Sequence, residues 1–213
     1  MTIPTFLLER TVPSPVVGVD EAGCGPWAGP VVAGAVIFRN VCDKAPLFSL
    51  LNDSKKLTLK RREKAYAALL DAAQEGLLYY AVGQASVKEV DCLNIRQAAL
   101  LAMKRAVETL PVMPAFAFID GTMVPKLTCP SQSVIRGDST SYSIAAASIF
   151  AKVTRDRLMA DLAEECPGYG WEKNAGYGTK LHQEGLERFG VTPHHRLSFA
   201  PVRRFYEMAA NSA

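Results

Sequence analysis

Between residues 16 and 38 the chain passes from apolar to acidic to glycine-rich and back to apolar, and few folds accommodate that order. Val16, Val17 and Val19 predict a buried strand over Val16 to Glu21 that stops on two adjacent carboxylates, Asp20 and Glu21. Gly23, Gly25, Pro26, Gly29 and Pro30 follow, the composition of a backbone that turns sharply and lets another group approach closely. Val31 to Phe38 is nearly all apolar and predicts a strand buried on both faces. Carboxylates are costly to bury unless paired or bound to metal, so the acidic doublet either holds a hard cation or is simply solvated at the strand end.

With 213 residues and 49% hydrophobic content the chain can bury a full core, and one domain with a small C-terminal elaboration is expected. The formal charge of +3 is mild, so any nucleic-acid contact must come from local clusters. Cysteines at 24, 42, 92, 129 and 166 are odd in number and lack a CxxC pair, which fits reduced thiols better than a disulfide framework or a zinc site. The N-terminus shows a Phe6-Leu7-Leu8 run without a basic leader or a long apolar segment. A soluble, cytoplasmic protein without a membrane span is expected.

Residues 1–14, with Pro4 and Pro13, form a lead-in arm. Asn52-Asp53-Ser54 precedes a helix from about 58 to 75, and residues 54–64 set Lys55, Lys56, Lys60, Arg61, Arg62 and Lys64 against the single acid Glu63. Such a run is either a solvated helix face or a set of phosphate contacts. A strand over Leu77 to Ala85 and one helix from Asp91 to Leu110 follow. Pro114 to Gly121 is then an apolar strand ending in Asp120-Gly121, the second acid at a strand end, and strand ends of open α/β sheets are where ligands collect. Asp138 sits where an N-cap belongs, ahead of a helix over 141–164 whose Ser143 to Ser148 segment is made of small residues that permit close approach to a sheet. Capping explains Asp138, and so does an electropositive helix start that positions an anion or metal. Lys152, Arg155 and Arg157 alternate with Asp156 and Asp161, the pattern of a salt-bridged surface. Pro167 to Lys180 is dense in glycine and aromatics, whose rings either stack on nucleic acid or tuck into the core. A short helix over His182 to Phe189 and a last one from about Pro201 to Ala209 finish the chain, and the three histidines lack metal-ligand spacing.

Four acids without a convergent histidine or cysteine set point to Mg²⁺ or Mn²⁺, because hard oxygen donors suit hard cations. With basic clusters and aromatic-glycine loops this implies phosphoryl chemistry. The chain has no Gly-Lys-Ser/Thr phosphate loop, which disfavours a nucleoside triphosphatase.

From about residue 15 to 206 the sequence resembles bacterial ribonuclease HII. The matching segments are Gly18 to Gly23, Asn52 to Leu57, Ile119-Asp120-Gly121, Gly137-Asp138-Ser139, Ser143 to Arg157, Pro167 to Gly170, Gly176 to Thr179 and Ser198 to Pro201. The resemblance implies an α/β, RNase H-like fold, a mixed central sheet flanked by helices, with a helical C-terminal extension. It implies a catalytic domain over 15–206, of which about 165–206 contacts substrate, and a tail over 207–213. The implied activity is endonucleolytic cutting of RNA in RNA/DNA hybrids and on the 5′ side of single ribonucleotides embedded in duplex DNA, leaving a 3′-hydroxyl and a 5′-phosphate. It implies a monomer whose Asp20, Glu21, Asp120 and Asp138 form a catalytic, metal-binding quartet. Main-chain groups at Gly23, Cys24 and Gly25 would read the 2′-hydroxyl, Tyr177 would stack on the deoxyribose beyond the junction, and Lys55 and Lys56 would meet phosphates.

The family carries arginine where this chain has Cys24, so a guanidinium able to hold a phosphate is missing while both flanking glycines remain. Thr140, Tyr142 and the Asn174-Ala175 pair also depart from the family pattern. A hybrid-binding protein with weak catalysis is therefore a second reading, and a junction resolvase of related fold a weaker third. Restoring the guanidinium in Cys24→Arg is expected to tighten binding to a ribonucleotide-containing duplex and steepen its salt dependence. Equal affinity and equal salt slope in a titration against the parent would contradict the proposed cost of Cys24.

Overall fold

The computed structural model describes residues 3–39, 46–54 and 56–210, so Cys42 and Lys55 lie outside the described residues. The chain divides into two compact units. The first comprises Met1–Ala22, Val32–Gln84 and Leu100–Val153, and the second Gly23–Val31, Ala85–Ala99 and Thr154–Ala213.

The first unit is built on a mixed five-stranded sheet. Its strands are β1 (Val16–Ala22), β2 (Val31–Phe38), β3 (Leu78–Ala85), β4 (Phe116–Asp120) and β5 (Ser131–Val134), in the order β3-β2-β1-β4-β5. β1 runs antiparallel to β2 and parallel to β4, and β4 runs parallel to β5. The helix α1 (Leu59–Gln74) and the first half of α4 (Tyr142–Glu165) supply much of the core against β2 and β3, with Leu69, Val36, Leu78 and Phe150 buried together. The small-residue start of α4 does what its composition suggests. A side chain at Gly34 on β2 would overlap the main chain of Ala147, so helix and strand meet at backbone distance.

Several expectations change. The first turn of α4 is capped by Ser141, whose hydroxyl accepts from the Ile144 amide at 3.1 Å, while Asp138 lies upstream in a 3-10 turn over Gly137–Ser139. Capping therefore does not explain Asp138. The N-cap of α1 is Thr58, whose side chain accepts from the Arg61 amide. β5 carries no apolar alternation in its Ser-Gln-Ser-Val sequence and is held by backbone pairing with β4, which is why sequence pattern misses it. Phe6 in the lead-in arm is fully buried, with Phe38, Phe48 and Tyr142 packed edge-on about it at ring-centre distances of 5.0–5.3 Å.

The second unit contains α2 (Val87–Leu93), the start of α3 (Ile95–Glu108), the second half of α4, α5 (Trp171–Asn174), α6 (Lys180–Phe189) and α7 (Ala200–Ala210). Its core gathers Ala28, Met159, Tyr169, Trp171 and Leu186. The single helix expected over 91–110 is two. Asn94 has a left-handed φ of 72° and its side chain accepts from the Arg96 and Gln97 amides, ending α2 and capping α3 in one residue. Ser86 and Glu89 close a capping box that starts α2 four residues ahead of the expected start at Asp91.

Phe150→Ala removes a fully buried ring stacked on Tyr80 at 4.2 Å, and it should cost about 3–5 kcal/mol in urea unfolding. A loss under about 1 kcal/mol would show that this helix-sheet seam does not carry the core.

Candidate active site

The parallel register between β1 and β4 ends its paired residues at Val19 and Ile119, and the next residue on each strand is an acid, Asp20 and Asp120. In parallel strands such neighbours share a face, so the two carboxylates stand side by side. Asp20 is only 2% exposed and accepts from the Glu21 amide at 2.7 Å. Asp120 is half-buried and accepts from the Gly137 amide at 2.6 Å, which ties β4 to the turn carrying Asp138. Asp138 is buried and accepts from the Ser139 hydroxyl at 3.3 Å. Ser139 in turn accepts from Lys56 Nζ at 3.0 Å, and Lys56 pairs with Asp53 at 3.3 Å. The sheet thus brings Asp20, Asp120 and Asp138 into one neighbourhood with Lys56 beside them. Glu21, half-buried, follows Asp20 on β1.

The donor set is all carboxylate oxygen, the chemistry of a hard divalent cation. Among the described residues, no group of three or more His, Cys, Asp or Glu side chains stands ready to hold a metal ion.

In the second unit, Gly23, Cys24 and Gly25 lie on an irregular loop, with Gly25 exposed. A side chain at Gly25 would meet the ring of Tyr177, which is 48% exposed. The aromatic-glycine segment therefore divides: Tyr169 and Trp171 tuck into the core and Tyr177 stays at the surface. Lys55 lies outside the described residues. Lys60, Arg61 and Lys64 are exposed on α1.

Two functional candidates escape sequence reasoning. Arg155, expected on a salt-bridged surface, is 1% exposed and donates to the carbonyls of Ala28, Pro30 and Ala175. Arg196, which follows His194 and His195 in sequence, is fully buried on the carbonyls of the same loop. Burial, followed by the charge of Arg155, lowers the Arg196 guanidinium to about 10, so it stays protonated at neutral pH. No local pattern distinguishes these arginines from surface ones.

His182 and His195 form a buried pair, Nε2 to Nε2 at 3.0 Å. The Tyr177 carbonyl can only accept, so His182 Nδ1 carries a proton toward it at 3.0 Å and Nε2 is left to accept from the Trp171 indole at 3.2 Å. His195 accepts at Nδ1 from the Thr192 amide and donates at Nε2 to His182. Both rings are neutral in this chain of bonds. Burial lowers His182, and burial with the neighbouring imidazole pushes His195 down to about 3.

Comparison with known proteins gives the same class. The ribonuclease H2 of Pyrococcus horikoshii superposes with a TM-score of 0.75 at 27% identity, covering 91% of this chain and 97% of that one. The sheet with its flanking helices is thus the RNase H-like fold of a type 2 ribonuclease H. The family model for Ribonuclease HII matches residues 17–202. The Ribonuclease HII of Gluconobacter oxydans is 53% identical over 211 residues, covering 99% of this chain and all of that protein, and that of Rhodospirillum rubrum is 52% identical over 211 residues, covering 99% and 94%. The chain belongs to the ribonuclease HII family and is a nuclease of that type. Among the described residues no helix is long and apolar enough to cross a membrane.

The histidine pair makes stability depend on pH. An unfolded histidine takes up a proton near 6.5, whereas the folded pair resists protonation down to lower pH, to about 3 for His195. The stabilisation is complete above pH 6.5 and declines as pH falls toward 3. Urea unfolding followed between pH 7 and 4 should show that decline, and His195→Gln should flatten it; an equal slope in the variant would contradict the assignment.

Proposed function

We propose that this ribonuclease H cuts the RNA strand of RNA/DNA hybrids and cuts on the 5′ side of single ribonucleotides embedded in duplex DNA, with Asp20, Glu21, Asp120 and Asp138 as its catalytic acids. The observation that carries the proposal is the β1–β4 register, which sets Asp20 beside Asp120 while the Gly137 amide holds Asp120 to the Asp138 turn. Carboxylates so placed are the group that would hold Mg²⁺ or Mn²⁺. When bound, the cation supplies Lewis-acid stabilisation of phosphoryl oxygens and lowers the pKa of its water.

The chain's own residues account for the rest. With the cation bound, a carboxylate of the cluster would accept the proton of the attacking water. Water adds to phosphorus in line with the departing 3′-oxygen, the P–O3′ bond breaks, and that oxygen takes a proton from solvent to leave as a 3′-hydroxyl, with the phosphate on the 5′ side of the ribonucleotide. Lys56, which bridges Asp53 and Ser139, and Lys55 before it in sequence are proposed to meet backbone phosphates. Main-chain groups of Gly23, Cys24 and Gly25 are proposed to read the 2′-hydroxyl, and exposed Tyr177 to stack on the following deoxyribose. Only Ala22 separates Glu21 from Gly23 in sequence, so acid and reader are encoded in one stretch. Ribonucleotide removal from DNA and a monomeric, cytoplasmic enzyme belong to the same proposal.

Cys24 motivates the competing reading, a hybrid-binding protein with weak catalysis. Cleavage of a labelled duplex containing one ribonucleotide separates the two. Cutting should require Mg²⁺ or Mn²⁺, stop in EDTA, fall on the 5′ side of the ribonucleotide, and drop by more than about a hundredfold in Asp120→Asn, since even residues that only support a metal ligand cost up to that factor. Binding without metal-dependent cutting of this duplex or of a long hybrid would favour the competing reading.

A further inference from the structure

The Gly23 to Pro30 loop has no regular hydrogen-bond ladder, yet its shape is set from inside by two buried guanidinium groups. Arg196 donates through Nη2 to the carbonyls of Gly23 at 2.7 Å and Gly29 at 2.8 Å, through Nη1 to Pro26 at 2.8 Å and Cys24 at 3.4 Å, and through Nε again to Gly29 at 3.0 Å. Arg155 donates through Nε to Pro30 at 3.0 Å and through Nη2 to Ala28 at 3.1 Å. Its Nη1 donates at 2.9 Å to Ala175, two residues before Tyr177.

These bonds determine where the loop's amides point. A trans peptide is planar, and its C=O and the next N–H project in opposite directions. Pro26 shows the effect: its carbonyl faces Arg196, and the following Trp27 amide projects the other way and donates to Gly176 at 2.8 Å. By the same geometry, drawing the Gly23 and Cys24 carbonyls onto Arg196 turns the Cys24 and Gly25 amides to the opposite side of the loop. Several carbonyl oxygens converging on one point repel one another without a cation, so the arrangement depends on the arginine. Gly23 has a φ of +101°, and a side chain there would overlap Arg155, so the turn is shaped to the guanidinium.

We propose that Arg196 and Arg155 are positioning residues for ribonucleotide recognition. Arg196 fixes the amides of the Gly23-Cys24-Gly25 turn, and Arg155 ties that loop to the Ala175 segment so that Tyr177 stays in register over Gly25. The proposal rests on the reading above that these main-chain groups meet the 2′-hydroxyl and Tyr177 the adjoining sugar. Lysine cannot replace either arginine, because its donors radiate from one nitrogen and cannot span carbonyls that a planar fork reaches together.

The test measures binding of the full chain, carrying Asp120→Asn and held in EDTA, to a labelled duplex with one ribonucleotide and to the all-DNA duplex of the same sequence. Arg196→Lys is expected to weaken the first by about tenfold or more and the second by less than about twofold, the cost of misplacing recognition groups that still fold. Thermal melting establishes that the variant is folded at the assay temperature. Where it is not, Arg155→Lys replaces it, with the same expected change in the ratio. An unchanged ratio in a folded variant overturns the proposal, as does an equal loss on both duplexes, which would mark a merely structural role. A parent protein that binds both duplexes equally overturns the 2′-hydroxyl reading itself, and the inference with it.

Discussion

The parallel pairing of β1 with β4 makes neighbours of two acids that are a hundred residues apart in sequence, and the chemistry proposed for this chain follows from that contact. Two carboxylates side by side near a buried strand end repel each other and lose solvation, so the surroundings must supply compensation. Part of it is present in the Glu21 and Gly137 amides that donate to Asp20 and Asp120. A divalent cation would supply the rest. The fold around the pair is arranged to keep it there: the glycine and alanine seam lets α4 approach β2 at backbone distance, and the 3-10 turn adds Asp138 from the β5 side.

The second unit solves a related problem with the opposite charge. Its irregular loop has carbonyl groups that no sheet or helix satisfies, and a buried backbone oxygen without a partner is costly. Arg155 and Arg196 satisfy these oxygens from within, and the same carbonyls solvate the two buried cations. The histidine pair continues this pattern toward Tyr177, holding its carbonyl through a ring that burial keeps neutral. In both units, backbone groups meet side-chain charge at the residues proposed to touch nucleic acid.

Much of this was legible in the sequence where a period or a composition carries it. The apolar run Val31–Phe38 is the observed β2, and the acid at the end of each apolar strand marked Asp20 and Asp120. The misses have physical reasons. β5 is held mainly by backbone pairing, with only Val134 packing on the core, so its polar residues carry no signal. Asn94 divides a continuous apolar pattern because its cap is a local bond that periodicity does not register. Ser141 competes with Asp138 for the role of cap, and only the backbone path decides between them. Arg155 and Arg196 resemble surface arginines, since the carbonyls that receive them come from a loop more than a hundred residues earlier. The proposed assignments of Glu21, Cys24, Lys55 and Tyr177 as site residues rest on the family resemblance rather than on contacts within the chain.

Asp20 on β1 and Asp120 on β4 are proposed to form a partial cation site that the substrate completes. Mn²⁺ binding followed by electron paramagnetic resonance, with and without an uncleavable RNA/DNA hybrid, tests it without relying on turnover. Weak binding by the protein alone, a marked gain in affinity when the hybrid is added, and loss of that gain in Asp20→Asn and Asp120→Asn are the expected results. Mn²⁺ affinity that is unchanged by the hybrid and indifferent to both substitutions would contradict the proposed site.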